Sequence, residues 1–207
     1  MLIKTLAVGQ YETNCYIVTN ENTLQCVVID PGDEANAILD YLEDNKLKAQ
    51  AVLITHGHFD HVGAANYICE ELNIPVYISK KDDASLSSDP MEKMFGYAMP
   101  EYGRHYEDGD ELELAGMSFK ILATPGHTPG GVSIICQDAL FCGDTLFKGS
   151  CGRTDMPGGD MDEELRSIKK LCMLSGDYEV YPGHMDSTTL ERERTFNYYC
   201  RLAMEKY

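Results

Sequence analysis

Four side chains able to hold a metal ion fall within the six residues His56–His61 of the run Thr55-His56-Gly57-His58-Phe59-Asp60-His61. The apolar segment Ala51-Val52-Leu53-Ile54 precedes it and reads as a buried strand. In extended backbone, residues i and i+2 point the same way, so His56 and His58 can grip one ion as two prongs. On a helix the two would diverge by roughly 200°, which places the motif at a strand end. Asp60 and His61 are adjacent, point apart once the chain turns, and can reach a second centre. One short loop thereby begins two sites.

The remaining histidines extend the pattern. The chain has 6, and three lie in this run. His127 sits in Thr124-Pro125-Gly126-His127-Thr128-Pro129-Gly130, and His184 ends Tyr181-Pro182-Gly183-His184. Each follows a strand-like apolar run and a Pro-Gly pair, which signals a turn. Asp144, in Leu140-Phe141-Cys142-Gly143-Asp144, also ends an apolar run after a glycine. Only His105 stands outside such a setting.

Taken in order, these residues resemble the metallo-β-lactamase superfamily. The pattern is Thr55-His56-x-His58-x-Asp60-His61, then Gly126-His127, Gly143-Asp144 and Gly183-His184, and it covers most of the chain. Flanking segments are similar to small glyoxalase II-like hydrolases: Asn14-Cys15-Tyr16, the turn Asp30-Pro31-Gly32, and Gly149-Ser150-Cys151-Gly152-Arg153-Thr154-Asp155. The superfamily hosts many reactions on one scaffold, so the motif specifies family more sharply than substrate.

The resemblance implies an α/β fold, a four-layer αβ/βα sandwich. It implies that His56, His58 and His127 bind one metal, that Asp60, His61 and His184 bind another, and that Asp144 bridges them. Asp60 and Asp144 then serve the chemistry directly. Two divalent ions follow, zinc foremost, with iron and manganese chemically suited to the same oxygen and nitrogen donors. The implied reaction is hydrolysis of a small thioester, as in type II hydroxyacylglutathione hydrolases, by attack of a metal-bridging hydroxide on the carbonyl. Arg153 aligns with a basic residue that meets a glutathione carboxylate in such enzymes. An ion pair with Asp155 or Asp160 is its alternative use. Thr55 has no ligand role there; its hydroxyl either supports the loop or packs at the strand end.

Two departures bear on glutathione. Asp155 stands where an aromatic residue is common, and no helical extension carrying further glutathione-binding residues is expected. The chief rival is a mononuclear-iron persulfide dioxygenase, since those enzymes share a Gly-Arg-Thr-Asp loop. Their final histidine is typically followed by Asp-Tyr, whereas this chain has His184-Met185-Asp186. A lactone or ester hydrolase on the same metals is the third reading.

Composition narrows the partners. With 207 residues the chain is most economically read as one domain, residues 1–207. The 17 basic against 34 acidic residues give a net charge of −17, which would repel a polyanion and argues against nucleic acid. Met1-Leu2-Ile3-Lys4-Thr5 lacks a basic region leading into an apolar one, so no signal peptide is expected. No run approaches the ~18 apolar residues that span a bilayer, so no membrane partner is expected. The 8 cysteines sit mostly in strand-like and helical runs without a Cys-x-x-Cys, and read as reduced thiols of a cytoplasmic protein. Cys151 is the one expected to be partly exposed.

Along the chain, strand-like runs at 2–8, 15–19 and 24–29 end in Asp30-Pro31-Gly32. A helical pattern covers 34–46, a strand 49–54, a helix 63–72 and a strand 75–78. This alternation indicates an α/β layer. Residues 80–105 are less regular and serve either as a cover over the site or as a surface excursion. Strands follow at 111–114, 118–123, 132–136 and 139–142. Helices at 162–174 and 188–206 flank a strand at 178–181, the last helix opening with the capping box Thr188-x-x-Glu191.

Overall fold

In a computed structural model of the protein, the described residues are 1–88 and 103–207. Two sheets form its centre. The first runs β1 (Leu2–Val8), β2 (Thr13–Asn20), β3 (Gln25–Ile29), β4 (Lys48–Leu53), β5 (Val76–Ser79) and β6 (Arg104–Tyr106), neighbours in sequence being neighbours in space. Strands β1 to β3 are antiparallel, and β3 to β6 are parallel. The second sheet contains β7 (Glu111–Leu114), β8 (Met117–Ala123), β9 (Val132–Cys136), β10 (Ala139–Gly143), β13 (Glu179–Pro182) and β14 (Thr188–Thr189). Its spatial order is β14-β13-β10-β9-β8-β7, and a small ribbon pairs β11 (Leu146–Phe147) with β12 (Ser150–Cys151).

Helices cover the outer faces. They are α1 (Ala35–Asp44), α2 (Phe59–Val62), α3 (Ala65–Leu72), α4 (Lys80–Ser88), α5 (Met161–Cys172), α6 (Leu190–Phe196) and α7 (Tyr198–Lys206). Side-chain alternation in the strands assigns the layers. In β2, Cys15 and Ile17 pack with Val28, Val52, Ile38 and Ile68, on the side of α1 and α3. Tyr16 and Val18 face the opposite way, against Phe119, Ile121, Ile134 and Phe141 of the second sheet. On that sheet's far side Leu140, Cys142 and Val180 meet Leu165, Ile168 and Leu171 of α5 and Ala203 of α7. Central strands are thus buried on both faces, which is why they read as near-continuous apolar runs. The order is helix, sheet, sheet, helix: the αβ/βα sandwich.

The parallel strands fix where chemistry can sit. Ligands of α/β sheets bind beyond the carboxyl ends of the strands. Here β3 and β4 lead into Asp30 and Thr55, β10 into Asp144, and β13 into Gly183-His184.

Some local expectations change. The helix expected over 63–72 begins at Ala65, and a separate single turn, Phe59–Val62, precedes it; between them Ala64 donates its N–H to the Pro31 carbonyl at 2.9 Å. At this crossing a Cβ on Gly32 would overlap the Asp60 carbonyl, so only glycine allows the approach. The capping box expected at Thr188 does not form, and the cap falls one residue later. Thr188 belongs to β14 and its hydroxyl donates to Glu193, while Thr189 caps α6 by accepting from the Arg192 N–H. The final helix also breaks at Asn197, whose side chain caps α7. Residues 104–106 add a strand to the stretch read as irregular. Most of the expected cover, residues 89–102, lies outside the described residues.

Candidate metal centre

His56 follows β4, and His58 is the extended residue before α2, with φ −72° and ψ 144°. The single turn α2 then presents Asp60 and His61. His127 lies in the β8–β9 loop, Asp144 after β10, and His184 after β13. All seven residues expected to form the site come together at one edge of the sandwich. Six of them fall into two groups, His56 with His58 and His127, and Asp60 with His61 and His184, the ligand atoms of each lying within 4.8 Å of one another; Asp30 makes a third such group with His56 and His61.

Hydrogen bonds fix which nitrogen of each ring faces inward. His61 Nδ1 donates to the Asp30 carboxylate at 3.0 Å, His127 Nδ1 to the Arg153 carbonyl at 2.7 Å, and His184 Nδ1 to the Tyr11 carbonyl at 3.1 Å. Thr55 Oγ1 donates to Asp30 at 2.6 Å and therefore accepts from His56 Nδ1 at 3.1 Å. With these four rings neutral, as binding a cation requires, Nε2 carries a lone pair. The inward nitrogens lie close together. His127 Nε2 lies 2.9 Å from His58 Nδ1, and His61 Nε2 lies 3.4 Å from His184 Nε2. His56 Nε2 and Asp144 Oδ1 are buried without any hydrogen-bond partner. Ring nitrogens and carboxylate oxygens converging in this way, two of them buried without a partner, fit a divalent cation.

Asp144 lies between the groups. Its Oδ1 is 3.6 Å from His61 Nε2, and its Oδ2 is 3.5 Å from His127 Nε2 and 3.6 Å from His184 Nε2. Asp60 Oδ2 is 3.3 Å from His184 Nε2 and accepts from Thr13 Oγ1 at 3.2 Å.

Electrostatics separate the two groups. Burial, reinforced by neighbouring histidines, pushes His56 well below the usual imidazole range and His58 down to about 3. Burial also opposes charge on His61, but the carboxylates of Asp144 and Asp30 draw it up to about 9. Burial likewise works against the Asp60 carboxylate, yet His184 and His61 hold it below the usual range.

Arg153 contributes its carbonyl to the site through His127. Its guanidinium makes a two-pronged, exposed pair with Asp155, at 2.7 and 2.8 Å. His105 pairs with Asp83 at 2.8 Å and stays outside both groups. Cys151 is half-buried, its thiol pushed up to about 12 by burial, so it is no ready nucleophile.

Three carboxylates that support the site were not singled out in the sequence. Asp30 was read only as a turn, yet it holds Thr55 and His61. Asp82 accepts from the Gly57 N–H at 2.9 Å, from Thr128 Oγ1 at 2.7 Å and from the Gly130 N–H at 2.6 Å. Glu164, fully buried in α5, accepts from the His127 N–H at 2.8 Å, and burial pushes it up to about 9. One sequence signal existed for Glu164: it occupies the apolar face shared with Leu165, Ile168 and Leu171.

The chain belongs to the metallo-β-lactamase superfamily, whose family model matches residues 8–184. Among its relatives, hydroxyacylglutathione hydrolase GloC of Haemophilus influenzae is 34% identical over 206 residues, covering 95% of this chain and 97% of that protein. Of solved structures, the B3 metallo-β-lactamase BLEG-1 superposes with a TM-score of 0.87 at 34% identity, covering 96% of this chain and 99% of that one. TTHA1623, solved in a di-iron-bound form, gives a TM-score of 0.81 at 36% identity, covering 95% and 99%.

Proposed function

We propose that the protein is a metal-dependent hydrolase of small thioesters, similar in activity to type II hydroxyacylglutathione hydrolases. The observation that carries this reading is the convergence of lone pairs in two adjoining groups with Asp144 between them. His56, His58 and His127 would hold one ion, and Asp60, His61 and His184 a second, zinc foremost and iron or manganese as alternatives. Ions bound there supply Lewis acidity at the substrate carbonyl and a hydroxide nucleophile near neutral pH.

The chain's own residues prepare that chemistry. Burial keeps His56 and His58 neutral, so protons do not compete for their lone pairs at pH 7. Asp30, Thr55 and the carbonyls of Arg153 and Tyr11 fix ring orientation before any ligand arrives. A thiolate, from a thiol of pKa about 8.5, leaves with little help from a general acid. A site made of acceptors therefore suits a thioester better than an amide. The likeness to GloC supports glutathione as the thiol, with Arg153 as the candidate contact for its carboxylate once Asp155 is displaced. The 8 cysteines, all free, suit the reducing cytoplasm.

One assay tests the reading: turnover of S-lactoylglutathione and of glutathione persulfide, with and without oxygen, on samples of known metal content. Oxygen-independent thioester cleavage supports the hydrolase. Oxygen consumption with the persulfide selects the dioxygenase instead, and cleavage of lactones or oxygen esters alone selects the third reading.

A further inference from the structure

A cleft of about 430 Å³ opens at the Asp60 end of the centre, lined by Val8, Gly9, Tyr11, Asp33 and Phe59 among others. Its size falls in the range of small-ligand sites, about 300–1,000 Å³. The walls are the β1–β2 turn and the turn following Asp30. The rings of Tyr11 and Phe59 meet edge to face with centroids 5.4 Å apart, and Tyr11 is 62% exposed. Tyr11 also accepts from His184 through its carbonyl, so the aromatic lip and the second ligand group are one continuous surface.

The two ends of the centre differ in charge. Among the described residues lining the cleft there is no Lys or Arg, while Asp33 is exposed there. A Cβ placed on Gly9 would lie 2.9 Å from Asp33 Oδ2, and the Gly9 N–H donates to Glu34 at 3.3 Å, so both carboxylates stand at this turn. Arg153 belongs to the opposite end, beside His127. A substrate laid across the centre thus meets the Arg153–Asp155 ion pair on one side and, on the other, aromatic rings and carboxylates with no Lys or Arg among the described lining residues.

We propose that this cleft is the acyl subsite, and that it selects an apolar, best an aromatic, acyl group bearing no negative charge. The proposal rests on the thioester-hydrolase reading. An aromatic acyl group gains edge and face contacts with Tyr11 and Phe59. An acyl carboxylate would lose water against those rings and be repelled by Asp33. Tyr11 and Asp33 are accordingly specificity residues.

The test uses the metal-replete protein and glutathione thioesters that differ only in the acyl group: butyryl, succinyl and phenylacetyl. Butyryl and succinyl share chain length and differ by the terminal carboxylate. The expected kcat/KM for butyryl exceeds that for succinyl by about tenfold or more, from like-charge repulsion in a partly desolvated site. Phenylacetyl exceeds butyryl, Tyr11→Ala removes that advantage, and Tyr11→Phe keeps it. Asp33→Lys brings the butyryl-to-succinyl ratio towards or below one. Succinyl turned over as well as butyryl, or a ratio that Asp33→Lys does not move, overturns the proposal. If no thioester is cleaved, the hydrolase reading fails instead, and calorimetric binding of two inert thioethers still reads the cleft. S-phenethylglutathione must then bind more tightly than S-(3-carboxypropyl)glutathione and weaken in Tyr11→Ala; the reverse order overturns the assignment.

Discussion

Asp82 reaches Gly57, 25 residues away in sequence, and accepts its backbone N–H at 2.9 Å. The same carboxylate takes Thr128 and Gly130, so one buried side chain joins the loop of His56 and His58 to the loop of His127. The three-histidine group is therefore assembled by a residue that touches none of its imidazoles.

Asp82→Ala leaves these donors without their acceptor in a buried site. The expected loss is about 3 kcal/mol of stability, because each stranded buried donor costs roughly 1–3 kcal/mol and water recovers part. Urea unfolding of the metal-free protein measures it. A loss under about 1 kcal/mol would show that the loops keep their places without the carboxylate.

Asp30 orients rather than binds. It accepts from the Thr55 N–H at 2.7 Å, from Thr55 Oγ1 and from His61 Nδ1. Asp30→Asn turns an amide against one of these donors and releases the His61 ring. Turnover and metal affinity should each fall about 10–100-fold, as for other residues that hold a metal-binding histidine. His105→Ala, which disturbs only the pair with Asp83, should leave both close to wild type. Equal effects from the two variants would remove the distinction.

Metal content gives a direct check. Saturated with zinc, iron or manganese, the chain should hold up to two ions, with affinity falling at acid pH as histidines take up protons. His58→Ala and Asp60→Ala should each lower turnover by several orders of magnitude, the first by opening the three-histidine group and the second by opening its neighbour. Elemental analysis finding no more than one ion after saturation would count against a dinuclear centre.

The clustering of these histidines and aspartates was legible because much of it is local. His56, His58, Asp60 and His61 lie in one loop, and the Pro-Gly turns before His127 and His184 mark strand ends. Strand positions were legible too, since two-sided burial writes itself as apolar runs such as 132–136 and 139–142. What supports the ligands was not legible, because it is long-range. Asp82 meets Gly130 across 48 residues, and Glu164 meets His127 across 37. A carboxylate in a helical pattern looks the same whether it faces water or a backbone N–H. The cap of α6 failed at the scale of one residue: Thr188 and Thr189 are chemically alike and both pair in β14, and it is Glu193, taking the Thr188 hydroxyl, that leaves Thr189 to cap.

Acid stability should depend on a buried carboxylate outside the two histidine–aspartate groups. Glu193 is fully buried and accepts from Thr188 Oγ1 and the Gly149 N–H, each at 2.7 Å, and from Asn197 Nδ2 at 2.9 Å. Arg192 Nη1 pairs with the same carboxylate at 2.5 Å. Burial alone would raise its pKa; these hydrogen bonds and the guanidinium outweigh burial and hold it below the ordinary 4.5. A carboxyl depressed in the folded state binds protons more readily when unfolded. Its stabilisation is thus fully present above pH 4.5 and is lost as pH falls through the lower folded value. Glu193→Gln should be less stable than wild type at pH 6, since a neutral amide accepts these donors more weakly and sets its own N–H against one of them. The gap should close as pH drops below 4.5, because the wild-type carboxyl then becomes neutral as well. Urea midpoints of the metal-free protein between about pH 6 and 3 read both limbs. A gap that stays constant or widens towards acid would mean that the Glu193 carboxyl is not held below its ordinary value.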